Sequence, residues 1–111
     1  MLEIIRGEDK TFTWNLKNED GSPLDLTGFT EITFCFPSET GNAQTITQTG
    51  GEVTPGGTLE AGNGTGIISD AKTLLMKVGE DQNFEAMVDY GTTRRKVRFV
   101  ELLNVFETIC P

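Results

Sequence analysis

The chain of 111 residues has no histidine. That removes the usual general base near neutral pH, the commonest metal ligand and every histidine-based nucleophile pair or triad. Cysteine is scarce too: Cys35 and Cys110 are the only two, too few and too far apart to start a zinc site. A disulfide between them would close nearly the whole chain. Two lone cysteines without export signals read more simply as thiols. Trp14 is the single tryptophan and Tyr90 the single tyrosine. No apolar run approaches the length of a membrane-spanning helix. Positive charge is in short supply, with 9 Lys and Arg against 17 Asp and Glu, a net charge of −8. An acidic balance argues against nucleic acid and against an anionic membrane surface as partners. The first nine residues show neither a basic segment nor a long apolar stretch, so synthesis in the cytoplasm is expected.

What remains is compatible with one domain over residues 1–111. Glycine is abundant, and eight of the 13 glycines lie between Gly41 and Gly66. That favours strands and loops over helices. Residues 10–17 alternate, with Phe12, Trp14 and Leu16 on one face and Thr11, Thr13 and Asn15 on the other. A period of two with aromatic and β-branched residues is a half-buried strand. Asn18–Pro23 breaks it with turn residues, and Leu24 and Leu26 are expected to tuck under a sheet edge. Residues 30–36 form the next strand, with Ile32, Phe34 and Phe36 inward, until Pro37 ends the ladder. These aromatic residues read as core rather than as a sugar-binding platform.

Residues 38–66 form a glycine-rich region with short strand candidates at 44–48 and 51–54. Glu60–Gly66 reads as an exposed, mobile loop. Ile67–Ser69 is expected to be a short strand; residues 71–78 suit a helical turn or a strand, with a strand at 73–78 preferred. In the last third, Phe84, Ala86, Val88 and Tyr90 alternate with polar residues. Gly91-Thr92 suits a two-residue type II′ turn. That turn sets Asp89 opposite Arg94, Glu85 opposite Arg98, Ala86 opposite Val97 and Phe84 opposite Phe99. Val88 opposite Arg95 fits poorly and predicts a bulge or a longer loop. A second bulge or bend is expected near Glu101, after which Leu103 and Val105 resume the alternation. Six to eight short strands with turn signals between them make an all-β fold, a sandwich of about seven antiparallel strands.

No residue set stands out as catalytic, cofactor-binding or metal-binding, and no cofactor is expected. Asp20, Asp25 and Glu19 lack the dense spacing of a calcium loop and read as a solvated turn. Carboxylates are numerous enough that an acid pair is not excluded by residue type, but most fall at turns and outward strand positions. Two features are candidates for contact with a partner. One is the basic row Arg94, Lys96 and Arg98; the other is Gly62, Asn63 and Gly64 in the glycine-rich stretch. Glu85 and Asp89 across the hairpin offer the plainer reading of the basic row, as charge neutralisation.

The run from Thr11 through Trp14, Asp20-Gly21-Ser22-Pro23 and Asp25-Leu26-Thr27-Gly28, followed by the strand at 32–36, resembles the N-terminal immunoglobulin-like domain of phage baseplate upper proteins and related tail-associated modules. The likeness covers about a third of the chain, from Ile5 to Phe36. It implies an immunoglobulin-like β-sandwich and a non-enzymatic role in assembly: a tail, baseplate, neck or head-decoration component of a virion. The partners implied are other virion structural proteins, with several copies of the chain in the particle. It brings no catalytic residues. A bacterial surface or carbohydrate-binding module is the alternative, and it requires an exposed aromatic platform.

Overall fold

The structure, a computed structural model, describes residues 2–98 and 102–107. Within these residues the chain forms ten strands. They are β1 (Leu2–Ile5), β2 (Lys10–Asn15), β3 (Glu31–Phe36), β4 (Gln44–Thr47), β5 (Val53–Pro55), β6 (Asn63–Ile68), β7 (Gly79–Gln82), β8 (Glu85–Asp89), β9 (Arg94–Arg98) and β10 (Leu103–Phe106). A 3₁₀ turn at Leu59–Ala61 and one helical turn, α1 (Asp70–Thr73), complete the elements.

The strands form ladders in the orders β2-β6-β5, β4-β3-β8-β9 and β1-β10-β7. The first two orders are those of strands B-E-D and C′-C-F-G in an immunoglobulin sandwich. The third extends the hairpin of β8 and β9: β7 leads into β8, and it pairs with β10 as β8 pairs with β9. Every ladder is antiparallel except β1–β10, which is parallel, with Leu2 opposite Leu103 and Ile5 opposite Phe106. The fold is thus an all-β, immunoglobulin-like sandwich.

The two inner faces meet through aromatic rings. Phe12 and Trp14 on β2 reach across to Phe34 on β3, with ring centroids 5.7 and 5.5 Å apart. Phe36 stacks on Phe84 at 5.1 Å, joining β3 to the residue that precedes β8. Edge-to-face and offset stacks of this kind add to the area that each ring buries. Aliphatic side chains fill the rest of the core, among them Ile4, Leu16, Ile32, Ile68, Val88 and Leu103. The alternation in β2, β3 and β8 therefore reports the inner face correctly, and the two leucines after Pro23 are buried.

The hairpin has the register that the Gly91-Thr92 turn dictates: Asp89 opposite Arg94, Ala86 opposite Val97 and Glu85 opposite Arg98. Gly91 has φ of 85°, the value a type II′ turn needs at its first central position, and Tyr90 N–H donates to Thr93 O at 2.7 Å. The pair Phe84–Phe99 and the bend near Glu101 lie outside the described residues, as does Cys110. No bulge separates Val88 from Arg95. β9 is a sheet edge, so Arg95 is exposed while Val88 on the adjacent strand is fully buried.

Two further expectations are overturned. Residues 63–66 are not a loop: they form the first part of β6, the middle strand of its sheet. The glycines sit there because rings lie on them. A Cβ at Gly64 would come within 2.4 Å of Trp14, and one at Gly66 within 2.6 Å of Phe12. Nor is 73–78 a strand. The N–H groups of Lys72 and Thr73 both donate to Ser69 O at 3.0 Å, starting α1 instead. The buried Thr73 hydroxyl holds the preceding β1–β2 turn, accepting from Gly7 N–H at 3.1 Å and donating to Glu8 O at 2.9 Å.

Candidate docking surface

Loops from both sheets gather at one end of the sandwich, among them residues 16–30. Asp20 accepts from the Ser22 amide at 2.9 Å and from its hydroxyl at 2.6 Å. Gly21 takes the left-handed conformation that closes this turn, and Asn18 N–H reaches Ser22 O at 2.8 Å. Asp25 repeats the device, accepting from Thr27 N–H at 2.9 Å. Both are short polar side chains that bond the backbone two residues on. The hydrogen bonds, led by that of the Ser22 side chain for Asp20 and of Thr27 for Asp25, hold both carboxyls below their ordinary value.

This loop is tied to its neighbours on either side. Leu26 N–H donates to Leu59 O at 3.0 Å, and Leu16 N–H donates to Gly62 O at 2.7 Å. On the hairpin side the Tyr90 hydroxyl donates to Asp25 O at 2.7 Å. Burial pushes the Tyr90 phenol up. Thr30 N–H reaches Asp89 O at 2.7 Å. Glu31 accepts from the Thr49 amide at 3.0 Å and from the Thr49 hydroxyl. Burial raises the Glu31 carboxyl, and the bonds from Thr49 and Ile32 outweigh it, leaving the group below its ordinary value. Tyr90 and Glu31 thus anchor this end, although alternation alone marks Tyr90 only as the last inward residue of its strand.

The structure places the two candidate groups on different sheets. Gly62 follows the 3₁₀ turn with φ of 65°, and a Cβ there would lie 2.5 Å from Leu24 O and 2.8 Å from Leu16 O. Gly62 and Gly64 are therefore required by close backbone and ring packing. Asn63 O accepts from Gly56 N–H at 2.7 Å, which closes the β5–β6 connection. Arg94 opens β9 at the same end of the molecule, on the opposite sheet. Its Nε lies 2.7 Å from Asp89 Oδ1, and that bond raises the guanidinium pKa further. Lys96 and Arg98 follow at the register positions opposite Met87 and Glu85. The neutralising pair expected between Asp89 and Arg94 is present. For Glu85 and Arg98 the opposing register is established.

The opposite end is held by Arg6. Its guanidinium lies 2.7 Å from Glu107 and 2.9 Å from Glu39, and it also donates to Leu74 O. Beside β2 a cleft of about 370 Å³ is lined by Leu2, Lys10, Thr11, Phe12 and Thr13. It brings together no set of groups suited to acid–base chemistry. Among the described residues there is no cluster of three or more potential metal ligands, and no helix long and apolar enough to cross a membrane.

No protein-family model matches the sequence, and no curated protein matches it at a significant level. Two solved structures are similar in outline. One is Tim-2, at 14% identity with a TM-score of 0.43; the other is Tim-1, at 15% identity with a TM-score of 0.37. Each comparison covers 99% of this chain and 94% of the other. The immunoglobulin-like assignment rests on the strand order above, not on these likenesses.

Proposed function

We propose that the chain is a non-enzymatic structural protein of a phage or prophage particle, acting by docking to other virion proteins. The observation that carries the docking role is the edge strand β9. An acidic protein concentrates Arg94, Arg95, Lys96 and Arg98, four of its nine cations, on one five-residue strand at the margin of a sheet. Charge of one sign set against the bulk of the molecule steers encounter and fixes register with a complementary partner. The virion setting is supported by the resemblance of Thr11–Gly28. In this chain its Asp-Gly and Asp-x-Thr turns build the end of the sandwich where the loops gather. Several copies, arranged by the particle's symmetry, would present this surface repeatedly. The protein would be made in the bacterial cytoplasm and end in the virion.

Burial of Trp14, at 2% exposure, counts against the carbohydrate-binding alternative, which needs that ring at the surface. Sedimentation of the purified protein across a concentration series, alone and mixed with phage tail and baseplate proteins, tests the docking role. Defined oligomers or stoichiometric complexes are expected. A strict monomer that binds none of them would overturn it.

A further inference from the structure

β9 lies at the margin of its sheet and presents one row of backbone groups to the open side. Tyr90 and Thr93 form a hydrogen-bonded pair at the turn. Alternation along an antiparallel ladder then makes Val88–Arg95 and Ala86–Val97 the bonded pairs. The N–H and C=O groups at positions 94, 96 and 98 therefore point away from β8, toward the open side. The partner positions on β8 obey the same rule, since Asp89 O is turned toward β3, where it accepts from Thr30 N–H. Among the described residues no strand covers this side of β9; β1 covers only β10, starting with Leu2 opposite Leu103.

Two of the other margins carry devices that discourage a further strand. β5 ends in Pro55. β7 is bulged, with Glu80 and Asp81 set against the single residue Asn104 and Asp81 at a φ of 54°. Such irregularities block edge-to-edge pairing. β9 has five regular pairs and no bulge. Its sequence places Arg94, Lys96 and Arg98 at alternate positions, the same positions whose backbone groups face outward. Like charges directly opposite one another disfavour pairing and opposite charges favour it. A basic edge thus rejects a basic strand and selects an acidic one.

We propose that β9 accepts an extended acidic strand from a neighbouring protein, which pairs with the backbone of Arg94, Lys96 and Arg98 and carries carboxylates at alternate positions to match these cations. This mode of recognition takes affinity from main-chain hydrogen bonds and specificity from alternate side chains. The assignment rests on the docking role proposed above and names the partner's chemistry.

Residue-resolved amide hydrogen exchange tests it, with the capped hexapeptide Glu-Thr-Glu-Val-Glu-Thr and its lysine-for-glutamate counterpart as probes. With the acidic peptide at about ten times its Kd, the amides at 94, 96 and 98 should exchange roughly tenfold more slowly. The basic peptide should leave them unchanged. Lys96→Glu should abolish the effect through charge. Lys96→Pro should abolish it by removing an outward N–H that the ladder does not use. If one variant fails to fold, the other decides.

No slowing at millimolar acidic peptide would overturn the proposal, and so would equal slowing by the basic peptide or retention of slowing in Lys96→Glu. Slowing that appears without peptide and grows with protein concentration would overturn it in favour of a second copy as occupant. Failure here alongside complexes in the sedimentation experiment would remove strand addition and leave the docking role standing.

Discussion

Gly64 lies so close to Trp14 that a Cβ on the glycine would sit 2.4 Å from the indole ring and 2.2 Å from Thr54 O. The indole also donates from Nε1 to Thr65 O at 2.8 Å, so ring and strand are fixed to one another on two sides. Gly64→Ala should therefore destabilise the fold by about 1–3 kcal/mol, the usual cost of overpacking. Gly57 has open space around it and no strained φ, and Gly57→Ala should stay within about 0.5 kcal/mol of the parent. Urea unfolding of the two variants makes the comparison.

Trp14→Ala should cost about 3–5 kcal/mol, as deletion of a fully packed aromatic side chain does. Because the ring is buried, its fluorescence in the parent protein should be unmoved by added glycans. A glycan-dependent shift in emission would contradict the core position of Trp14.

Tyr90→Phe removes the hydroxyl that donates to Asp25 O. The expected loss is about 1 kcal/mol. Amide exchange of Thr27, in the loop that Tyr90 holds, should accelerate more than exchange in β3.

Acid should weaken the protein through Glu31. Its carboxyl lies below the ordinary value in the folded state. The stabilisation is therefore complete above the unfolded glutamate pKa, near 4.3, and is lost as pH falls through the lowered folded value. Asp20 and Asp25 are shifted the same way and act with the same sign. Thermal melts between pH 7 and pH 2 should show a falling midpoint below about pH 4.3. Glu31→Gln should have a lower midpoint than the parent at pH 7 and a smaller fall on acidification.

The legible parts of the fold were those where side chains alternate in kind. Phe12–Trp14–Leu16 and Ile32–Phe34–Phe36 identify inner faces directly, and Gly91-Thr92 fixes the hairpin register pair by pair. The first part of β6 was illegible for a definite reason: two of its inward positions, Gly64 and Gly66, are empty so that Trp14 and Phe12 can occupy the space, and only Ile68 at its end brings a side chain to the core. A stretch that serves the core by the absence of side chains resembles a loop in sequence. α1 is ambiguous in the sequence because one helical turn is too short to display its period. Its signal was Ser69-Asp70, a helix-start pair. β7 was hidden by its bulge at Glu80–Asp81, which breaks the alternation.

The candidate surface was legible in part. The basic positions 94, 96 and 98 fall together on one strand, as the alternation implies. Gly62 and Gly64 read as loop residues in the sequence, and close packing in the fold accounts for both. Tyr90 and Glu31, which anchor the loop end, announce themselves only once the hairpin and the loops around Asp25 and Thr49 are placed beside each other.

The most direct test of the account is whether the chain is part of a particle. Quantitative mass spectrometry of phage or tail particles, purified from cells that encode it, should find the protein at a fixed ratio to the known structural subunits. Its absence from particles that are otherwise complete would contradict the virion role.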